Sequence, residues 1–582
     1  MRRRPSTGTL LLDGLRWAAR YGYRAPVLAG RMLTVLVREG PTALPGWTRA
    51  KIEEYRRRRL EARLGVHRGY GEWIEAFDSL DASDRKAIAN AVASLERPTH
   101  FSIIIGEGEN VPSRWVERTV ESVREQLYPH HEVLVEKDAE AALAKARGEL
   151  VIFLDGTCEL SPDALAVLAL ERAARPDLVL LYTDEDTLAE AGPRSEPDFK
   201  PDWNLDLLHA TNYVGRLAAF DREAVRRAGG RQGSDYALAL RCTAGVDATR
   251  IRHVPFVLAH TRRRVSAETR ETVAKHLGLP VEPGRLPGSH HVRYPIPEPA
   301  PLVSIIIPTR DGEPLLRRCV ESIRAKTTYR HYELVLVDNQ SRDPGALAYL
   351  AELERSGARI LRHDQPFNFA AINNQAVERT EGELVCLLNN DTEVIRPGWL
   401  DEMVAHALRP EIGAVGARLL YTNGTLQHAG VVLGLGGVAG HAHRGLPGES
   451  GGPGGRALLV QNVSAVTAAC LVVRRSVYRE VAGMDESLAV ALNDVDFCLK
   501  IRARGYRNLY TPFAELFHHE SASRGRDLTP EQTARAELEK ALVVERWGQE
   551  LTRDPAYNPN LTLLDESWGL AWPPRVERPW WR

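Results

Sequence analysis

The chain has 582 residues, 43% hydrophobic and 26% charged, with a net charge of −1, the balance of an ordinary globular protein of several domains. Its six cysteines stand singly, without CxxC spacing, which argues against a disulfide framework or a zinc ribbon and fits a reducing, cytoplasmic setting. No stretch reaches the roughly 18 apolar residues of a membrane-spanning helix.

Residues 1–97 read as a basic helical arm. Its first 70 residues hold sixteen Lys and Arg against five Asp and Glu, a balance of +11 set against −12 in the remainder. Two readings stand side by side: a solvated arm packed on the body, or attachment to an anionic membrane surface at the inner face of the cytoplasmic membrane. Nucleic acid is disfavoured, because the arm lacks interleaved aromatics and the rest of the chain is acidic.

An internal repeat follows. Residues 101–105 read FSIII and 303–307 read VSIII, short apolar runs suited to buried strands. Each leads into a helical pattern (VESV at 120–123, VESI at 320–323) and then a second strand (EVLV at 132–135, ELVLV at 333–337). After a further helix, GELV at 148–151 and at 382–385 runs into a strand ending at a polar corner, LDGT at 154–157 and LNND at 388–391. The fold class expected is α/β, with two tandem, mainly parallel sheets carrying helices on both faces and ligands beyond the carboxyl ends of the strands. The boundaries expected are 98–294 for the first copy, 295–302 for a Pro-rich linker, 303–530 for the second copy and 531–582 for a tail packed on the second copy.

The chemistry concentrates in the second copy. A polar triplet after Leu387 and Leu388 must leave the core, and Asp391 there suits a hard divalent cation that in turn holds a diphosphate. Taken alone, the triplet is equally an Asn/Asp turn. Asn493-Asp494-Val495-Asp496 opens a helix, with Asn493 as a good cap. Helix capping accounts for one carboxylate better than for two. Asp494 is therefore assigned as a base taking the proton of a sugar hydroxyl, and Asp496 as a structural or acceptor-orienting residue. His518 and His519 follow a strand-like run, and adjacent strand residues face opposite ways, so at most one of them reaches a metal.

From 303 to about 527 the second copy closely resembles the family 2 glycosyltransferases of GT-A fold. The resemblance rests on Ser304 through Pro308-Thr309, LVDN at 336–339, FNF at 367–369 through Asn373-Asn374, and LNND at 388–391. It continues through QHAG at 427–430, NDVD at 493–496 and HHESASRG at 518–525. The Asn-Asn-Asp corner is similar to that of rhamnosyltransferase-like, polysaccharide-building members. The resemblance implies that Pro308, Thr309 and Asp338 contact the nucleoside of a UDP- or dTDP-sugar, that Asn390 and Asp391 lie by its diphosphate with Asp391 on Mg²⁺ or Mn²⁺, and that Asn389 is a further substrate-binding residue. Asp494 would be the base of an inverting displacement, and His518 or His519 would complete the metal site. Trp399 and His428 would line the sugar or acceptor pocket or else be core residues, and the acceptor would be a cell-surface glycan or a lipid-linked one.

The first copy resembles the same fold with a worn site. Aligning Gly148 with Gly382 sets Thr157 opposite Asp391, and Asp235-Tyr236-Ala237-Leu238 matches either Asp494 or Asp496 but not both. Asp155, His260 and the cluster Asp184-Glu185-Asp186 keep a second active site open as a minor hypothesis. Two rivals remain. One is a dinucleotide enzyme, on GLGGVA at 434–439, which lacks the following helix and acidic residue and reads better as a glycine-rich lid. The other is a nucleotide-sugar-binding module that has lost catalysis.

Overall fold

The apolar runs that open the two copies are buried along almost their whole length, so both become strands covered on two faces. The computed structural model describes residues 69–106, 111–189, 192–262, 269–519 and 529–581. Most of the basic arm expected over 1–97, and the 520–525 part of the HHESASRG motif, lie outside the described residues.

The first sheet consists of β1 (Phe101–Gly106), β2 (His131–Val135), β3 (Leu150–Asp155), β4 (Cys158–Leu160), β5 (Leu180–Leu188), β6 (Arg194–Asp198), β7 (Ala218–Asp221) and β8 (Ile251–Thr261). A small hairpin, β9 (Val281–Pro283) and β10 (His290–Val292), follows. The second sheet and its satellites use β11 (Val303–Thr309), β12 (Tyr332–Asp338), β13 (Arg359–Arg362), β14 (Leu384–Leu388), β15 (Thr392–Val394), β16 (Ile412–Leu420) and β17 (Leu426–His428). The remaining strands are β18 (Val431–Leu433), β19 (Ala439–His441), β20 (Gln461–Val463), β21 (Cys470–Arg474) and β22 (Arg507–His518).

The first sheet has the order β2-β1-β3-β7-β5-β8-β4, and the second β13-β12-β11-β14-β21-β16-β22-β15. Without the edge strand β13 the two orders correspond strand for strand. Small side-chain ties recur as well. Ser102 Oγ donates to Glu132 and accepts from the Gly148 N–H, while Ser304 Oγ donates to Glu333 and accepts from the Gly382 N–H. A Cβ on either glycine would fall 2.4 Å from an atom of that serine, so neither tolerates a side chain.

Parallel pairing is confined to β2-β1-β3, to β13-β12-β11-β14 and to the pairs β5·β8 and β16·β22. Strands β7 and β21 run antiparallel to both neighbours, so the sheets are mixed rather than mainly parallel. Short buried strands look alike in either direction, which is why the sequence shows the strands but not this reversal.

Strands β8 and β22 are long, 11 and 12 residues, and each contains a proline that gives no ladder hydrogen bond, Pro255 or Pro512. The register shifts there: Thr183↔Val254 is followed by Asp184↔Val257, and Ala417↔Thr511 by Arg418↔Glu515. Such bulges bend a strand. The bent ends pair antiparallel with β4 and β15, which sets Thr392 opposite His518.

The helices needed below are α1 (Ala82–Ala93), α2 (Asp235–Thr243), α3 (Phe369–Glu378), α4 (Trp399–Ala407), α5 (Asn493–Ala503) and α6 (Pro530–Trp547). One apolar cluster joins the copies, with Leu207, Val214 and Tyr236 from the first and Leu459, Val460 and Ala514 from the second. A polar tie crosses beside it. Asn204 Nδ2 donates to the Asn462 carbonyl (2.8 Å), and Asp206 takes Arg409 Nη1 (2.5 Å) and Asn462 Nδ2 (2.6 Å). Burial would raise the Asp206 carboxyl, but Arg409 and Arg507 outweigh it and hold it well below the usual range.

The tail packs on both copies, not on the second alone. Asp554 accepts from the Leu433 N–H (2.7 Å) and Ser464 Oγ (2.6 Å), while Asn558 and Asn560 donate to Asp184 of β5. Arg578, Trp580 and Trp581 then converge on Asp84 of α1. The glycine-rich segment expected as a lid forms the β18·β19 hairpin, and the tail residues Tyr557 and Leu561 pack against it.

Three imidazoles are buried and held below their ordinary value by that burial: His209 to about 4, His443 to about 3 and His428 well below. Unfolding lets each take a proton below pH 6.5, so stability present at neutral pH is lost as the pH falls. The loss is about 2 kcal/mol per ring at pH 5. His253 runs the other way, because Asp184 and Asp202 outweigh its burial and raise it. The net expectation is a lower Tm at pH 5 than at pH 7 by thermal unfolding; an unchanged Tm contradicts the assignment of neutral rings.

Candidate active site

Because β11, β12 and β14 are parallel, their carboxyl ends share one sheet edge. Thr309 pairs with Asp338 there, and Asn390 Nδ2 donates to Thr309 Oγ1 (3.1 Å), tying the β14 corner to the end of β11. Pro308 sits beside them, half-buried, opposite Val337. The Asp338 carboxylate is fully buried. It accepts the Ser341 N–H (3.0 Å) and pairs with Arg362, whose side chain is 55% exposed. Two residues that the sequence did not flag shape this edge. Asp311 (φ 51°) accepts the N–H groups of Arg342 (2.7 Å) and Asp343 (2.8 Å), and those donors hold its carboxyl low. Gln340 is also left-handed, at φ 63°. Non-glycine residues in this region cluster at binding sites. A groove of about 670 Å³, lined by His363, Gln365, Phe367, Asn368 and Glu486, opens beside them; the His363 N–H bonds to the Asp338 carbonyl.

The Asn-Asn-Asp corner meets the end of β22. The His519 N–H donates to the Asp391 carbonyl (2.8 Å), and His518 Nε2 stands 3.1 Å from Asp391 Oδ1. Gln427 Oε1 lies 2.8 Å from His518 Nδ1 and can only accept, so Nδ1 carries a hydrogen, and Nε2 is the nitrogen that offers a lone pair when the ring carries one proton. Asn389 Nδ2 approaches that lone pair at 3.2 Å. Asp391 is nearly buried, and its Oδ1 receives no hydrogen bond. The single lone pair of Nε2 can be taken by Asn389 Nδ2 or, once that amide is displaced, by a cation held beside Asp391 Oδ1. The two residues therefore fit a divalent ion. No group of three His, Cys, Asp or Glu is arranged around one metal position among the described residues.

His519 does not belong to this pair. It points to the other side of the strand, with Nε2 3.4 Å from Glu393 and Nδ1 3.5 Å from Arg318. Strand alternation predicts that one imidazole faces away, and the β15·β22 register decides which.

Asp494 lies in the first turn of α5, half-buried. Its Oδ2 accepts the Ala468 N–H (3.2 Å) and its Oδ1 the Val495 N–H (2.9 Å). The residue capping this helix is Leu492, left-handed at φ 61°. Asn493, expected as the cap, instead donates inward to the Leu488 carbonyl (3.1 Å). A chain of contacts connects Asp494 to Asp391. Ala468 follows Thr467, whose N–H faces His428 Nε2 (3.5 Å), and Gln427 beside His428 orients His518. The Asn389 N–H donates to the Ala469 carbonyl (3.0 Å), closing the loop.

Three residues expected in or near the substrate pocket are buried in structural contacts, which for Asp496 is one of its two readings. Asp496 is 0% exposed and takes Arg546 Nη1 (2.6 Å) and Trp547 Nε1 (2.9 Å) from α6. Trp399 is 0% exposed in the core under α4, with its indole donating to Thr327 Oγ1 (3.1 Å). His428 is also 0% exposed. Its Nδ1 lies 2.8 Å from His441 Nδ1, and burial, His441 and His518 keep it neutral. The sequence does not show their burial.

The first sheet repeats the frame with different chemistry. The Arg262 N–H donates to the Thr157 carbonyl (2.9 Å), as His519 does to Asp391, and Cys158 pairs with Thr261 as Thr392 pairs with His518. Thr157 and Thr261 thus stand where Asp391 and His518 stand. Tyr236, fully buried, is the second residue of α2 as Asp494 is of α5. Asp155 pairs with Arg216 (2.5 Å). Asp186, 1% exposed, accepts His260 (2.7 Å), Arg194 (2.6 Å) and Tyr70 (2.7 Å).

Comparison with known proteins bears on the second sheet. Residues 304–481 match the model of the family "Glycosyl transferase family 2". The chain is similar to "Uncharacterized protein y4gI" of Sinorhizobium fredii (strain NBRC 101917 / NGR234), 46% identical over 74% of this chain and 50% of the relative. It is also similar to "O-antigen biosynthesis protein RfbC" of Myxococcus xanthus, 41% identical over 73% of this chain and 35% of the relative. A shorter match, 38% identical over 65 residues (11% of this chain and 21% of the relative), is to the "N-acetylglucosaminyl-diphospho-decaprenol L-rhamnosyltransferase" of Mycobacterium tuberculosis (strain CDC 1551 / Oshkosh). The chain spans only half, or about a third, of the first two relatives' own length. The corner at 389–391 thus lies within the stretch that matches the family 2 glycosyltransferases, while Asp494 on α5 and His518 at the end of β22 lie beyond residue 481.

Proposed function

We propose that the second sheet transfers a sugar, with inversion, from a nucleoside-diphosphate donor to a hydroxyl of a growing cell-surface glycan or a lipid-linked acceptor. The observation carrying this reading is the Asp391 Oδ1, nearly buried and without a hydrogen bond, beside the lone pair of His518 Nε2 at 3.1 Å. Asp391 and His518 would hold Mg²⁺ or Mn²⁺, which when bound offsets the charge of the diphosphate leaving group. Asp494 keeps lone pairs beyond its two backbone donors and serves as the base. It takes the proton of the acceptor hydroxyl as that oxygen bonds to the anomeric carbon. The bond from that carbon to the diphosphate oxygen breaks, and its electron pair leaves with the nucleoside diphosphate. Pro308, Thr309 and Asn390 line the donor edge, and Asp338 shapes it through Ser341 and Arg362. The names of the O-antigen and rhamnosyltransferase relatives support a polysaccharide or lipid-linked acceptor. The +11 balance of residues 1–70 suits one presented at an anionic membrane surface.

The first sheet is proposed as a catalytically silent copy. Thr157, Thr261 and Tyr236 replace the three reactive groups, and the Arg216 guanidinium already neutralises Asp155.

The test is thermal unfolding of the full chain with a panel of nucleotide sugars, in Mn²⁺ and in EDTA. A ligand at about 100 times its Kd stabilises by about 2.7 kcal/mol. One nucleotide sugar should raise Tm in Mn²⁺ but not in EDTA, and Asp391→Ala should abolish the rise. If none raises Tm in either condition, the donor site is wrongly assigned.

A further inference from the structure

We infer that Glu539, in the C-terminal helix α6, is a positioning residue that sets Asp494 for proton transfer; the inference rests on the reading of Asp494 as the base. Glu539 is 2% exposed, and its two oxygens accept successive backbone N–H groups, Val490 at 3.0 Å and Ala491 at 2.9 Å. Arg535 stands 3.7 Å away on the same helix. A carboxylate is costly to bury unless polar partners use it, and here the partners are the backbone of the segment that delivers the base.

That segment is held at every step. The Ala489 carbonyl accepts the Phe369 N–H (2.7 Å) from α3, and the Leu488 carbonyl accepts Asn493 Nδ2 (3.1 Å). After Ala491 comes Leu492 at φ 61°, a conformation an L side chain adopts only when its surroundings impose it. Asp494 follows two residues later. Past it, the same helix α6 grips Asp496 through Arg546 and Trp547. The turn carrying Asp494 is therefore clamped before and after by one helix, which lies outside residues 304–481. A glutamine at 539 keeps the volume but sets an NH₂ group against one of the two N–H donors, so one of the two bonds of the clamp is lost without a cavity.

The experiment compares kcat and donor KM of the full chain with those of Glu539→Gln, Trp547→Phe, Asp494→Asn and the Glu539→Gln/Asp494→Asn double variant. It also follows the donor-induced Tm rise in Mn²⁺. Misplacing a reacting group by about 1 Å costs about a hundredfold. Glu539→Gln is expected to lower kcat by about tenfold to a hundredfold, with donor KM and the donor-induced Tm rise unchanged. Trp547→Phe, which removes one bond to Asp496 and keeps the ring, should show a smaller fall of the same kind and decides the matter if Glu539→Gln does not fold. In the Asp494→Asn background, Glu539→Gln should have no further effect, because it acts through Asp494. Wild-type kcat in a folded Glu539→Gln, or a full extra loss in the double variant, overturns the positioning role. Wild-type kcat in Asp494→Asn sinks the base reading instead.

Discussion

Asp494→Asn is expected to lower kcat by about 10²- to 10⁴-fold, the usual contribution of a positioned general base, while donor binding in Mn²⁺ is retained. The amide oxygen still accepts the Ala468 N–H, while its NH₂ replaces the oxygen that accepts the Val495 N–H, so the variant loses proton acceptance together with one local bond. Asp155→Ala is the matched control on the first sheet, where the carboxylate already pairs with Arg216, and turnover should not change. Equal losses from the two variants would remove the distinction drawn between the sheets. Full donor binding without turnover in the wild-type chain, with any acceptor, would mark a binding module.

The largest stability effect is expected at Asp184→Ala. This carboxylate is 0% exposed and accepts His253 Nε2 (2.8 Å), the Lys200 N–H (2.9 Å), Asn558 Nδ2 (2.9 Å) and Asn560 Nδ2 (3.2 Å). Removing it leaves His253 Nε2 and the Lys200 N–H without their acceptor and reduces each Asn amide to one carbonyl, of Lys200 or Pro255, and breaking such a network costs about 3–5 kcal/mol. Urea unfolding of the full chain measures it; a loss below about 1 kcal/mol would mean that water satisfies those donors after the change. A surface pair such as Arg479–Glu378 should lie within about 0.5 kcal/mol of neutral.

These residues also show what the sequence displays and what it hides. The duplication is legible because each copy repeats the same apolar run, serine, glycine and polar corner in the same order, and Ser102 with Gly148 and Ser304 with Gly382 make the same contacts. The carboxylate at 391 is legible because a charged residue directly after a buried strand needs a reason. The choice between His518 and His519 is not, since it depends on a pairing register set by a bulge at Pro512. Asp496 and His428 sit in quoted motifs and Trp399 stands outside them, yet for all three the partners Arg546, Thr327 and His441 come from elsewhere in the chain. Asp184 reads as a rival acidic cluster because its neutralising partners are distant. Gln427 carries a faint signal as the neighbour of His428, and Glu539 carries none.

The tail that reaches β5 has a bearing on how the protein is made. Asp184 receives Asn558 from 374 residues downstream. During synthesis the first copy therefore emerges with a buried carboxylate whose amide partners are still untranslated. Its sheet can collapse early, but its polar interior closes only once residues 558–560 have left the ribosome. Maturation of the first copy is thus timed to completion of the second.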